Sequence, residues 1–138
     1  MNYGRIIFLM CLLSIVLCGV LIGVGIILHA KYIDKKIEKE YPDYIRARHV
    51  ACICDKEAGE YFRKHVRKYE KEIEAKESEL RWLPKEERDE IIEEIETLKK
   101  QRLVYYTNYV NMREDAKEKW ERVNAIVNSH PFLRKHRG

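Results

Sequence analysis

Residues 6–28 read IIFLMCLLSIVLCGVLIGVGIIL, and this run decides the architecture. It carries no charge, and Ser14 is its only hydroxyl. Coiled as a helix at about 1.5 Å per residue it reaches about 34 Å, against about 30 Å for the hydrocarbon core of a bilayer. A helix satisfies its own backbone N–H and C=O groups, which lets such a run cross lipid. A cleaved signal has a shorter apolar segment, of about 7–15 residues, and Leu28-His29-Ala30 is a poor small-x-small cleavage site. Bulky Leu17 before Cys18 argues against a lipoprotein signal. The expectation is a retained transmembrane anchor over residues 1–30.

Small residues mark one side of that helix. Gly19 and Gly23 form a GxxxG match, and Cys11, Ser14, Cys18 and Gly25 fall at near-heptad spacing. Small side chains let a second backbone approach closely, so Ser14, Cys18, Gly19, Gly23 and Gly25 are the expected packing face for a partner helix or a second copy. Glycine is also simply common in membrane helices, and that reading stays beside the first. Only Arg5 precedes the run, whereas Lys31, Lys35, Lys36, Lys39, Arg46 and Arg48 come after it. Positive flanks stay on the cytoplasmic side, so the C-terminal region is expected there.

The rest of the chain is a different material. The 138 residues hold 27 Lys and Arg against 23 Asp and Glu, almost all after Ala30, with only six Gly and three Pro. Such a composition favours long helices over a compact α/β core. Mixed signs and a net charge of +4 exclude a nucleic-acid footprint. The expected division is a basic juxtamembrane linker at 31–42, a first helix at 43–83, a second at 84–130, and a basic tail at 131–138. The predicted fold is all-α, a single transmembrane helix followed by a long, coiled-coil-like antiparallel hairpin.

Two seams carry the hairpin. Phe62, Val66, Tyr69, Ile73, Lys76, Leu80 and Leu83 alternate steps of four and three, with Asp43 just inside a start at Pro42. After Pro84 the rhythm resumes at Ile91, Ile95, Leu98, Arg102, Tyr105, Tyr109, Met112, Ala116, Lys119, Val123 and Ile126, and His130-Pro131 should end it. Folding about Pro84 predicts Ile73 near Ile95, Tyr69 near Leu98 and Phe62 near Tyr105 or Tyr106. It also sets a small stripe of Ala47, Ala51, Cys54 and Ala58 against Tyr109, Val110, Met112 and Trp120. The rival is one helix kinked at Pro84 that zips with copies of itself. In the hairpin, Arg134, Lys135 and Arg137 return towards Lys31, Lys35, Lys36 and Lys39, where anionic headgroups would attract both sets.

Chemistry finds little to work with. His49, Cys52, Cys54 and His65 are the only metal-like set, and on a continuous helix Cys52 and Cys54 point about 200° apart. Glu90, Glu93, Glu94 and Glu96 lack the Glu-x-x-His pairs of a di-iron bundle. No phosphate loop or nucleophile elbow is present. The expectation is a non-enzyme with no cofactor, no small-molecule substrate and no nucleic-acid partner.

What remains is a membrane-anchored structural or assembly subunit, docking on membrane or soluble subunits or on a copy of itself. The layout resembles inner-membrane spanins, with an N-terminal anchor and charged coiled-coil helices. That resemblance is architectural, covers no motif, and implies a lysis-type or envelope factor in the opposite orientation. A membrane-tethered regulator that binds a soluble protein is the third reading. The layout also resembles rotary ATP synthase peripheral-stalk subunits, which keep one long helix where this chain has Pro84.

Overall fold

The computed structural model describes residues 2–136. The chain is helical and, among these residues, contains no strand. Helix α1 (Tyr3–Glu40) carries the apolar run and continues unbroken through the basic segment beyond it. The expected linker at 31–42 is therefore mostly the last turns of α1 and not a separate segment. The helix stops at Tyr41, whose φ of −128° and ψ of 58° keep it out of the helical region, as the next residue, a proline, requires. Pro42 then opens α2 (Pro42–Tyr61), with Asp43 in its first turn.

A π-helical turn, Phe62–Val66, joins α2 to α3 (Arg67–Leu80) without breaking the axis. Its last bond runs from the Arg67 N–H to the Phe62 carbonyl, five residues back. The seam explains this extra residue. Below it Tyr44, Ala51 and Ala58 are buried at heptad steps, and above it Val66 and Ile73 are buried at the same step. The two series are one residue out of phase, and a π-turn winds in one residue so that both face the partner helix.

Helix α4 (Arg88–Ser129) needs no such device, because its heptads run unbroken past Ile95, Ala116 and Val123. Its C-terminus repeats the device at Tyr41. His130 is extended before Pro131, and α5 (Pro131–Lys135) comes next. Helix α4 packs along α2 and α3 as an antiparallel hairpin.

The pairing differs from the sequence expectation by about one helical turn. Tyr69 stacks on Tyr105 at 5.3 Å, not beside Leu98, and Phe62 meets Tyr109 at 4.8 Å, not Tyr105 or Tyr106. Ile73 shares a groove with Lys99 and Arg102. The connection accounts for the shift. After Pro84 the chain makes a 3₁₀ turn at Lys85–Glu87 before α4 begins, while the Arg88 Nε donates to the Leu83 carbonyl. Those residues belong to the bend, so the returning helix starts its pairing a turn late.

Candidate interaction site

The hairpin core is thin. Between α2 and α4 the residues that approach are small on one side, with Ala51 and Ala58 fully buried. At the base Tyr44, Ala51, Val123, Val127 and Leu133 form the hydrophobic cluster, and Ile37, Tyr41, Ala47, Trp120 and Ile126 lean on it. Higher up the filling is aromatic. His65 stacks on Tyr105 at 5.1 Å with planes 3° apart, and Tyr61 tilts against His65 at 4.7 Å.

Of the seam residues expected from sequence, Val66, Ile73 and Ile95 are buried. Phe62, Tyr69, Leu80, Ile91, Leu98, Tyr105, Tyr109 and Met112 are half-buried, as a two-helix structure allows. Two packed helices cover only one stripe of each other.

Polar residues beside the seam carry contacts that periodicity alone did not reveal. Asp55 accepts from Arg113 at 2.7 Å and from the Trp120 indole N–H. Glu70 pairs with Arg102 at 3.1 Å, Glu77 with Lys99 at 3.0 Å, and Glu94 with Lys76 at 2.6 Å. The signal was there as opposite charges at seam-flanking positions, but which pairs meet depends on the register. Lys76 and Arg102, which break the apolar rhythm, are each paired across the hairpin. The hydrogen bond to Glu94 holds the Lys76 ammonium above the ordinary lysine range. That contribution is intact at neutral pH and fades only as pH rises beyond that range. Burial, together with the neighbouring Tyr105, pushes the Tyr69 phenol up as well.

The cysteines separate by environment. Cys52 is exposed, while half-buried Cys54 donates from Sγ to Asp115 Oδ2 at 3.7 Å. Burial first, then the Asp115 charge, raises the Cys54 thiol above its ordinary 9.0. The thiolate is the reacting form, so maleimide at pH 7.5 should label Cys52 several-fold faster than Cys54. The difference should shrink in denaturant. Equal rates in the folded protein, read by mass spectrometry, would contradict the hairpin packing at this point. His65 belongs to the aromatic stack, and among the described residues no three His, Cys, Asp or Glu side chains converge on a point where a metal could sit.

The residues expected from sequence to meet a membrane sort into two groups. Ser14, Cys18, Gly19 and Gly25 are exposed and Gly23 nearly so, because none of the other described residues covers that length of α1. Lys31, Lys35, Lys39, Arg134 and Lys135 are exposed, and Lys36 is half-covered, its Nζ 4.5 Å from the Phe132 ring centroid. Arg137 lies outside the described residues. The tail at 131–135 is not a loose end. Leu133 is buried in the base cluster, and Phe132 stacks on Tyr41 at 6.0 Å. Tyr41 also lies against His130 at 5.1 Å, so the residues that precede Pro42 and Pro131 sit side by side at one elbow. The Phe132-Leu133 pair after Pro131 was the sequence signal for this docking.

No protein-family model, curated protein or solved structure matches this chain. The fold itself defines an all-α chain in which one helix, long and apolar enough to cross a membrane, leads into an antiparallel helical hairpin.

Proposed function

We propose that the protein is a membrane-anchored, non-catalytic structural or assembly subunit. Helix α1 spans the bilayer and docks on a partner helix, and the hairpin reaches from the membrane surface to pack on a second subunit or hold it at a distance. One observation carries the reading. The apolar length of α1 is uncovered by the other described residues, and the hairpin beyond it is a shaft whose thin core leaves most of each helix surface free. A helix of this kind has lipid or another helix as its natural surroundings. Aromatic residues along α4, including exposed Tyr106, suit a protein interface.

The glycine face gives the test. A Cβ added at Gly19 or Gly23 meets nothing within 4 Å, so larger side chains there leave the chain's own fold unstrained. Gly19→Ile with Gly23→Ile should therefore act only on a neighbour. In mild detergent from native membranes, the parent should migrate as an assembly larger than its 16.6 kDa, and the double variant should shift to a smaller species. A parent that runs strictly as a monomer and cross-links to nothing would refute the proposal.

A further inference from the structure

The base of the hairpin gathers cations from distant parts of the sequence. Helix α1 supplies Lys31, Lys35, Lys36 and Lys39, and α5 supplies Arg134 and Lys135. Among the described residues none of these six forms an ion pair, whereas Lys76, Lys99, Arg102, Arg113 and Lys119 along the shaft are all paired with carboxylates. Lys35, Lys36 and Lys39 line, with Tyr32 and Glu40, a recess of about 330 Å³. His136, next in the chain after Lys135, lines another recess with Asp34, Ile37 and Glu38, so the docked tail lies alongside the last turns of α1.

The position of these groups along α1 is set by helical rise. Lys31 and Lys35 stand roughly 5 and 10 Å beyond Leu28, against a headgroup layer of about 5–8 Å. Long basic side chains cover the remainder by reaching back. The far end of the hairpin has the opposite sign. Residues 70–98 hold five Lys and Arg against twelve Asp and Glu, while residues 31–48 together with 130–136 hold eight against four.

We propose that Lys31, Lys35, Lys36 and Lys39 of α1, with Arg134 and Lys135 of the docked α5, form a composite surface for anionic phospholipid headgroups. Docking of α5 through Phe132 and Leu133 completes it. The acidic far end is repelled by the same lipid and keeps the shaft standing off the bilayer. The inference rests on α1 being the membrane span proposed above.

The test uses the full chain reconstituted in phosphatidylcholine vesicles that contain a trace of spin-labelled phosphatidylglycerol or spin-labelled phosphatidylcholine. The motionally restricted fraction of each probe reports what sits against the protein. Phosphatidylglycerol should be enriched by at least about threefold at low salt and lose that preference as salt screens the charges. Arg134→Gln with Lys135→Gln should remove part of it, and adding Lys35→Gln and Lys39→Gln should bring the ratio towards one. All four side chains are exposed, so helical content by circular dichroism should not change. A ratio near one in the parent would overturn the proposal and leave these cations to an acidic protein partner. A ratio that the four substitutions leave unchanged would overturn it too. Restriction of neither probe, with protein failing to float with the vesicles, would instead refute the span itself.

Discussion

Removing Lys64 should leave the hairpin folded, whereas removing Glu114 should take it apart. Both side chains are exposed, so neither deletion takes a side chain out of the core. The difference lies in phase. Lys64 sits inside the π-turn at Phe62–Val66, which holds one residue more than the seam requires. Without it the turn closes as ordinary α-helix, and Ala58 and Val66 fall one heptad apart with both still facing α4. The cost should stay within about 1 kcal/mol, the scale of a surface change. Helix α4 has no spare residue. Deleting Glu114 turns everything on one side of the gap by about 100°, which carries Ala116, Val123 and Val127 off the seam and drags Leu133 with them. Burying a valine or leucine side chain contributes about 1.5–3 kcal/mol, so losing Val123, Val127 and Leu133 costs about 5 kcal/mol or more. That is of the order of the whole stability of a small domain. Thermal unfolding followed by circular dichroism should show one cooperative transition for the Lys64 deletion and none for the Glu114 deletion. Equal damage in both would mean that the π-turn does not serve the register.

Val66→Asp should be the most damaging point substitution in the shaft. Val66 is fully buried, next to a stretch where Phe62, His65 and Tyr69 pack against Tyr105 and Tyr109. A carboxylate there would lose its water, and burying an unpaired charge costs several kcal/mol. Val66→Thr keeps the shape and adds one hydroxyl, and should cost about 1–3 kcal/mol. The aspartate variant should also regain stability as pH falls, because burial raises the new carboxyl and protonation removes the charge. Urea titrations at pH 7.5 and pH 5 measure both effects. A Val66→Asp hairpin as stable as the parent would place this residue at the surface and refute the seam.

The parts of this fold that could be read from sequence are those that depend on local rules. An apolar run over residues 6–28, proline at positions 42, 84 and 131, and heptad spacing after Pro84 are local signals, and α1, the hairpin and the helix ends follow them. The register was not legible, because it turns on whether Lys85–Glu87 joins the bend or the helix, and both suit its composition. The π-turn was visible as a phase slip between Ala51-Ala58 and Val66-Ile73, but only once the lower and upper seams are counted against each other. The docked tail was masked by its charge. Arg134 and Lys135 suggest a solvated end, and Leu133 fills the base cluster regardless. The exposed glycine face and basic residues were legible as residue types alone, since their partners would lie outside the chain.

Under the function proposed here, α1 holds the protein in a bilayer and the hairpin is a separate unit beyond it. Alkaline carbonate extraction of membranes expressing the full chain, beside a chain of residues 31–138, tests both halves at once. The full chain should remain in the pellet, and the shorter chain should appear in the supernatant, still helical. A full chain released by carbonate, or a shorter chain that stays in the pellet, would contradict the claim.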